Sequence, residues 1–469
     1  MKQGIRRSSG LVLGPLFFIL LLLTKPESLS PAATVVAGVT IWMAVWWISE
    51  AVPISATALL PIVVLPAFGA MEVGDVTAQY GHHIVFLMLG GFFIAIAMEK
   101  WDLHKRIALF VVHLIGIGPR RIIAGFMVAT AFLSAWISNT STAMVMMPIG
   151  TAVIASISAK KSDPDFNVAL MLSIAYAASI GGMATLVGTP PNLIFAGIYQ
   201  SMFGVQVNFF EWAYFGFPLA FVMLVITWFY LTHIGYRIQK DEMPGSGEVI
   251  KAEIAKQGKI TREEKHVLMV FALVAVLWMT RGLLWGKYMP QVTDASIAIT
   301  GALLLFIIPA REEASLLSWE DTEKVPWGVA LLMGGGFAIA RGFAETGLAE
   351  WVSQSFTFLV AMPVLLLILA TVVITKIFTE ITSNTATATI LMPIAASIAI
   401  TLGISPFGIM AAVAISSSLA FMMPVATPPN AIVFGSGYVT IPQMARAGLW
   451  LNFVTVVIVS MFAFFVFYI

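Results

Sequence analysis

The sequence predicts an all-α protein that crosses a membrane many times and is built from an internal repeat. Three observations carry this. The 469-residue chain is 59% apolar, its mean hydropathy is +0.94, and only 10% of its residues are Asp, Glu, Lys or Arg. Apolar runs recur from the first residues to the last. A compact polar tripeptide, Ser-Asn-Thr, occurs once in each half, at 138–140 and 383–385.

A soluble domain carries roughly 25% charged and about 45–50% apolar residues. The present composition cannot cover a water-facing surface but can cover a lipid-facing one. The formal net charge is +1, with six His and no Cys. No global field points to nucleic acid, and no disulfide framework is possible. An enzyme would need convergent His, Asp, Glu or Cys. No such cluster is readable, and the chain is expected not to be an enzyme.

The elements follow in order. Runs at about 11–28, 33–49, 54–69 and 83–98 open the chain. Those at 107–117, 122–136, 142–159, 168–187, 192–203 and 212–235 complete a first half. A second half holds 265–285, 295–309, 325–343, 353–378, 387–402, 407–425 and 448–469. A spanning helix needs about 20 residues, so the expectation is about eleven full spans plus a few half-spanning pieces. A membrane barrel would instead show segments of about ten residues with alternating polarity. Lys2, Arg6 and Arg7 precede the apolar run Leu11–Leu23. The pattern resembles a signal peptide, but with later spans it predicts a first membrane segment with a cytoplasmic N-terminus. From Arg237 to His266 lie seven Lys/Arg and six Asp/Glu, with Pro244 and Gly245 among them. Residues 241–264 are thus expected to be a cytoplasmic charged linker between halves 1–240 and 265–469.

The halves match at nearly fixed spacing. Ser138-Asn139-Thr140 through Met147-Pro148 recurs 245 positions later as Ser383-Asn384-Thr385 through Met392-Pro393. Gly90-Gly91-Phe92 recurs at the same offset, and Ser134 falls on Thr379. Gly188-Thr189-Pro190-Pro191-Asn192 recurs 238 positions later as Ala426-Thr427-Pro428-Pro429-Asn430. Lys100, Lys105, Arg106, Arg120 and Arg121 lie between residues 99 and 121, whereas 344–366 carries no Lys or Arg. Basic residues favour cytoplasmic loops, so the two copies are expected to be inverted. Inverted repeats place substrates where the repeats meet.

The polar residues of these motifs suggest a binding site. Pro breaks a helix and pushes the preceding residue out of the α region. Unwound backbone at membrane depth is tolerated only when buried in protein or lining a cavity. Its carbonyls suit a small hard cation, and free helix N-termini suit an anion. Hydroxyl and amide oxygens of Ser134, Ser138, Asn139, Thr379 and Asn384 would complete a cation shell. Neutral oxygens suit sodium better than calcium, which prefers carboxylates. Neither tripeptide block contains Arg or Lys, so bound sodium ions would compensate an anion. Lys376 and Glu380, four residues apart, are expected to pair on one helix face, with a role in coupling or gating left open. Glu50 is expected at the membrane interface or a helix end, and His82 and His83 at an interface rather than on a metal.

The paired Ser-Asn-Thr motifs and Thr-Pro-Pro-Asn loops resemble those of the divalent-anion/sodium symporter family, over nearly the whole chain. The resemblance implies a homodimer of eleven-span protomers, each with two re-entrant hairpins, working by an elevator motion. It implies scaffold helices at about 11–100 and 265–345, and transport-domain elements at about 105–235 and 352–469. The hairpins would precede each tripeptide, at 105–137 and 352–382. A first sodium site would use Ser134, Ser138, Asn139 and backbone near Gly188, and a second Thr379, Asn384 and backbone near Thr382 and Ala426. The substrate would meet Asn139, Thr140, Thr189, Asn384, Thr385, Thr427 and Pro428. The expected function is sodium-coupled uptake of a C4-dicarboxylate such as succinate, fumarate or malate across the inner membrane. A sodium-independent dicarboxylate exchanger, or a symporter of sulfate or citrate, stays open.

Overall fold

The computed structural model describes residues 2–24, 26, 28–116, 118–158, 163–238, 246–311, 315–355 and 362–468. Residues 241–245 of the expected linker, and 117 and 356–361 of the expected hairpins, lie outside the described residues. The described residues form helices and connecting turns, with no strand among them. An opening group comprises α1 (Lys2–Thr24), α2 (Pro31–Ser49), α3 (Ile54–Thr57), α4 (Leu60–Ala67), α5 (Val73–Ala78) and α6 (His83–Lys100). The first repeat core follows as α7 (Leu103–Ile115), α8 (Pro119–Ser134), α9 (Asn139–Ser158), α10 (Pro164–Gly182), α11 (Pro190–Phe203) and α12 (Phe209–Phe229). Then come α13 (Ser246–Gln257), α14 (Arg262–Thr280), α15 (Asp294–Ile307) and α16 (Trp327–Glu345). The second core is α17 (Leu348–Ser355), α18 (Val364–Ile381), α19 (Asn384–Leu402), α20 (Pro406–Ser418), α21 (Pro428–Gly435) and α22 (Ile441–Phe467).

Local chemistry sets these boundaries. Pro31, Pro119, Pro164, Pro190, Pro406 and Pro428 each stand in the first turn of a helix, where their missing N–H costs nothing. Asn208 with Glu211 and Thr261 with Glu264 form capping boxes at the starts of α12 and α14. Among the described residues, eleven helical segments are long and apolar enough to cross a membrane, and the chain is a multi-pass membrane protein. Their exposed apolar side chains, such as Met269, Leu273 and Val276 on α14, suit lipid. By contrast α10 is buried on every side from Val168 to Gly182 and forms the centre of the larger core.

Each tripeptide marks a helical turn. A Cβ on Gly150 would lie 3.5 Å from the Phe126 ring, and these residues flank Ser138 symmetrically. Helices α8 and α9 therefore run back along each other with the tripeptide at their turn, and this hairpin stands beside the α7–α8 pair that precedes it, where Gly125 packs on Val112. The cause is local: Ser138 Oγ accepts the Ser141 N–H at 3.1 Å, so Ser138 caps and starts a new helix. Helices α18 and α19 likewise meet at Ser383, which stands at the start of α19 without a side-chain cap. Each hairpin is followed by a broken helix, α10 with α11 and α20 with α21. At 13 residues, α20 reaches only about 20 Å, short of the ~30 Å hydrocarbon layer.

Candidate substrate and cation site

Four helices begin on one cavity of about 580 Å³ between the two repeats. They are α9 at Asn139, α19 at Asn384, α11 at Pro190 and α21 at Pro428. The volume lies within the usual 300–1,000 Å³ range of small-molecule sites. Thr189 and Thr427 hold extended backbone, at φ/ψ of −148°/143° and −140°/148°. The proline pairs thus open new helices, and the unwound stretches lie just upstream, at 183–189 and 419–427. A helix N-terminus presents free N–H groups and a partial positive charge.

Behind each tip sits an oxygen cluster. Ser134 Oγ lies 2.6 Å from Asn139 Oδ1 and 2.7 Å from the Ala178 carbonyl oxygen. Thr379 Oγ1 lies 2.7 Å from Asn384 Oδ1 and also donates toward the Ser417 carbonyl. Each hydroxyl has one proton for two acceptors, so each cluster holds more lone pairs than protons. Both hydroxyls are fully buried. A second pair of residues staples the breaks. Asn192 Nδ2 donates to the Gly182 and Thr185 carbonyls at 3.1 and 2.7 Å. Asn430 Nδ2 donates to those of Ala420 and Met423 at 3.2 and 3.0 Å.

Most expected residues meet here. Ser138, Asn139, Thr140, Gly188, Thr189, Asn384, Thr385, Ala426, Thr427 and Pro428 all line the cavity. Ser134 and Thr379 lie behind the lining, in the oxygen clusters. The Thr382 hydroxyl turns elsewhere, bonding Thr387 Oγ1 at 2.7 Å and the Phe378 carbonyl at 2.8 Å, which leaves only its backbone for the second cluster. Gly188 serves packing: a Cβ there would lie 2.4 Å from the Gly182 carbonyl oxygen. Lys376 and Glu380 do not form an ion pair among the described residues; each binds backbone of the α20–α21 break instead. His82 caps α6 and lies against His83 and Phe337.

The motifs did not point to the opposite wall, formed by Phe92, Ala95, Ile96 and Glu99 of α6 with Lys324, Pro326 and Val329. Only Phe92 had a signal, in the repeated Gly-Gly-Phe. Its counterpart Phe337 is buried and packs against Gly197. The wall is fixed at its edge by Lys100, which donates to Asp321 at 2.8 Å. Partial burial would raise the Asp321 carboxyl, but hydrogen bonds from Lys100 and Ser318 hold it below the ordinary range.

Paired hairpins and paired broken helices meeting at one cavity are the architecture of a membrane transporter. Over 91% of this chain and 97% of the other, the fold matches the YdaH transporter of Alcanivorax borkumensis, with a TM-score of 0.62 and 16% identity. It also matches MtrF of Neisseria gonorrhoeae over 96% and 98%, with a TM-score of 0.60 and 14% identity. The chain belongs to the sodium:sulfate symporter family, whose transmembrane-region model matches residues 9–468. It is 42% identical to the sodium-dependent dicarboxylate transporter SdcS of Staphylococcus saprophyticus, over 97% of this chain and 90% of that one. It is 43% identical, with the same coverage, to SdcS of Staphylococcus aureus strain USA300. These are transport proteins, not enzymes.

Proposed function

We propose that the chain is a sodium-coupled symporter that takes up a C4-dicarboxylate across the inner membrane. The observation that carries the reading is the convergence of four helix N-termini on one cavity backed by two proton-poor oxygen clusters. The dicarboxylate names of its relatives support the substrate class.

Magnitudes explain why cations are needed. A helix N-terminus contributes about 0.3–1 kcal/mol to a bound anion, and up to ~2 kcal/mol when partly buried. Taking a carboxylate out of water costs several kcal/mol per charge. Four helix ends do not offset two such charges with a margin, and no lysine or arginine lies in either tripeptide. Sodium at the Ser134–Asn139 and Thr379–Asn384 clusters supplies the missing charge, with Ser138, Gly188, Thr382 and Ala426 at their edges. The carboxylates then meet Asn139, Thr140, Asn384 and Thr385, with Thr189, Thr427 and Pro428 at the flanks. Sodium and dicarboxylate are cargo, and each makes the cavity attractive to the other.

The basic cluster Lys100–Arg121 marks the cytoplasmic face, which puts the N-terminus inside and opens the cavity inward in this conformation. The hairpins and broken helices form the moving domain of an elevator, and the remaining helices form the scaffold of a homodimer. The test is uptake of labelled succinate into liposomes holding the purified protein. Uptake that needs inward sodium and is absent in potassium, even with succinate inside, is the expected result. Uptake in potassium only when succinate is preloaded would make the protein an exchanger. Inhibition by sulfate or citrate, but not succinate, would move the substrate.

A further inference from the structure

The second repeat carries a buried acid and base that the first repeat lacks. By the 245-residue offset, Lys376 and Glu380 stand where the first repeat has Ala131 and Ala135. Lys376 is 4% exposed and Glu380 8%. Glu380 Oε1 accepts the Phe421 N–H at 2.9 Å and Asn452 Nδ2 at 2.6 Å. Both its oxygens lie 3.2 Å from the Met422 nitrogen. Lys376 donates to the Leu419 carbonyl and lies over the Phe421 ring. All of these backbone groups belong to the break between α20 and α21.

The break itself is displaced. Helix α10 runs to Gly182, so the 238-residue offset would carry α20 to Ala420, yet α20 stops at Ser418. In a continuing helix the Phe421 N–H would bond the Ser417 carbonyl, four residues back. Glu380 takes that N–H, and the Ser417 carbonyl is left to join Thr379 in the second oxygen cluster. A buried N–H or C=O without a partner is costly, so this early unwinding needs the side chains that satisfy it.

We propose that Glu380, supported by Lys376 and Asn452, is a positioning residue for the second cation site. It accepts the Phe421 and Met422 N–H groups and so holds the end of α20, with the Ser417 carbonyl, in place behind Thr379. Its negative charge, next to Thr379, adds to the field at that site. The first site has no such device. This rests on the sodium-coupled reading above, and the same assay tests the two separately.

Sodium activation of succinate uptake is measured for wild type, Glu380→Ala, Glu380→Gln, Glu380→Asp and Asn452→Ala, together with the succinate KM at saturating sodium. Loss of a hydrogen bond to a charged group predicts a half-saturating sodium concentration about tenfold higher in Glu380→Ala. Glu380→Gln, which keeps the shape but not the charge, and Asn452→Ala should shift in the same direction by less. Glu380→Asp should recover part of the loss, with the succinate KM at saturating sodium unchanged throughout. Should Glu380→Ala fail to assemble, sodium-induced thermal stabilisation of purified Glu380→Gln gives the answer, and it should be weaker than in wild type. Unchanged sodium activation in Glu380→Gln and Asn452→Ala, or an effect confined to the succinate KM, overturns the proposal. Wild-type uptake indifferent to sodium would instead sink the symport reading itself.

Discussion

In the first repeat, α8 and α10 meet backbone to backbone. A Cβ on Gly181 would lie 2.3 Å from the Ala131 carbonyl oxygen and 2.5 Å from its Cα. In the second repeat the same two positions hold Lys376 and Leu419, and the helices are joined by a side chain reaching a carbonyl. The tips in front are nearly identical, with Ser134 on Asn139 at 2.6 Å and Thr379 on Asn384 at 2.7 Å. The duplication thus kept the atoms that face the cavity and replaced the brace behind them. Close packing of small residues fixes a break rigidly but tolerates no added volume. A charged clamp fixes it through a few directed bonds, each of which can be altered alone. The surroundings do not account for this: α10 is buried from Val168 to Gly182 and α20 from Gly408 to Ser418, while α8 exposes Val128 and Phe132 as α18 exposes Ile374, Ile377 and Ile381.

Substitutions can break this comparison. The largest effect is expected from Gly181→Val, because both clashing partners are backbone and neither can move cheaply. Loss of folded protein in detergent, seen by size-exclusion chromatography, is the outcome. Leu419→Val at the matching position should remain monodisperse and lose only about 0.5–1.5 kcal/mol. Next come Asn139→Ala and Asn384→Ala, which remove an oxygen from each cluster. Both should abolish succinate uptake at physiological sodium while leaving the thermal transition within a few degrees of wild type. Asn192→Leu and Asn430→Leu remove two buried hydrogen bonds apiece. Each should cost roughly 2–4 kcal/mol of stability, with equal effects in the two halves because the staples are equivalent. The smallest change is expected at Val425, which is 84% exposed on the second break. Val425→Ser should alter stability by no more than about 0.5 kcal/mol. A large loss there would mean that the second break is packed against something beyond this chain.

The fold and the tips were legible because they are local and repeated. The offset that aligned the tripeptides also aligned Ser134 with Thr379, and both proved to bond the asparagine five residues on. What the sequence hid is tertiary. The Ala178 and Ser417 carbonyls are backbone groups some forty residues from their partners, and no side-chain pattern marks them. The wall formed by Phe92, Glu99 and Lys324 comes from elements outside the repeated motifs. The spacing of Lys376 and Glu380 predicted a helical pair, but the neighbouring break offered unsatisfied backbone, which binds each of them instead. The hairpin turn was readable in principle, since Ser and Asn at a chain break are helix-starting residues.

Sodium coupling through the two oxygen clusters requires one cation site in each half. Equilibrium binding of radiolabelled sodium to the purified protein, counted per chain with succinate present, tests it most directly. Wild type should bind at least about two sodium ions, and Ser134→Ala and Thr379→Val should each bind about one fewer. If both substitutions leave the count unchanged, or if either one abolishes sodium binding altogether, the two clusters are not independent cation sites.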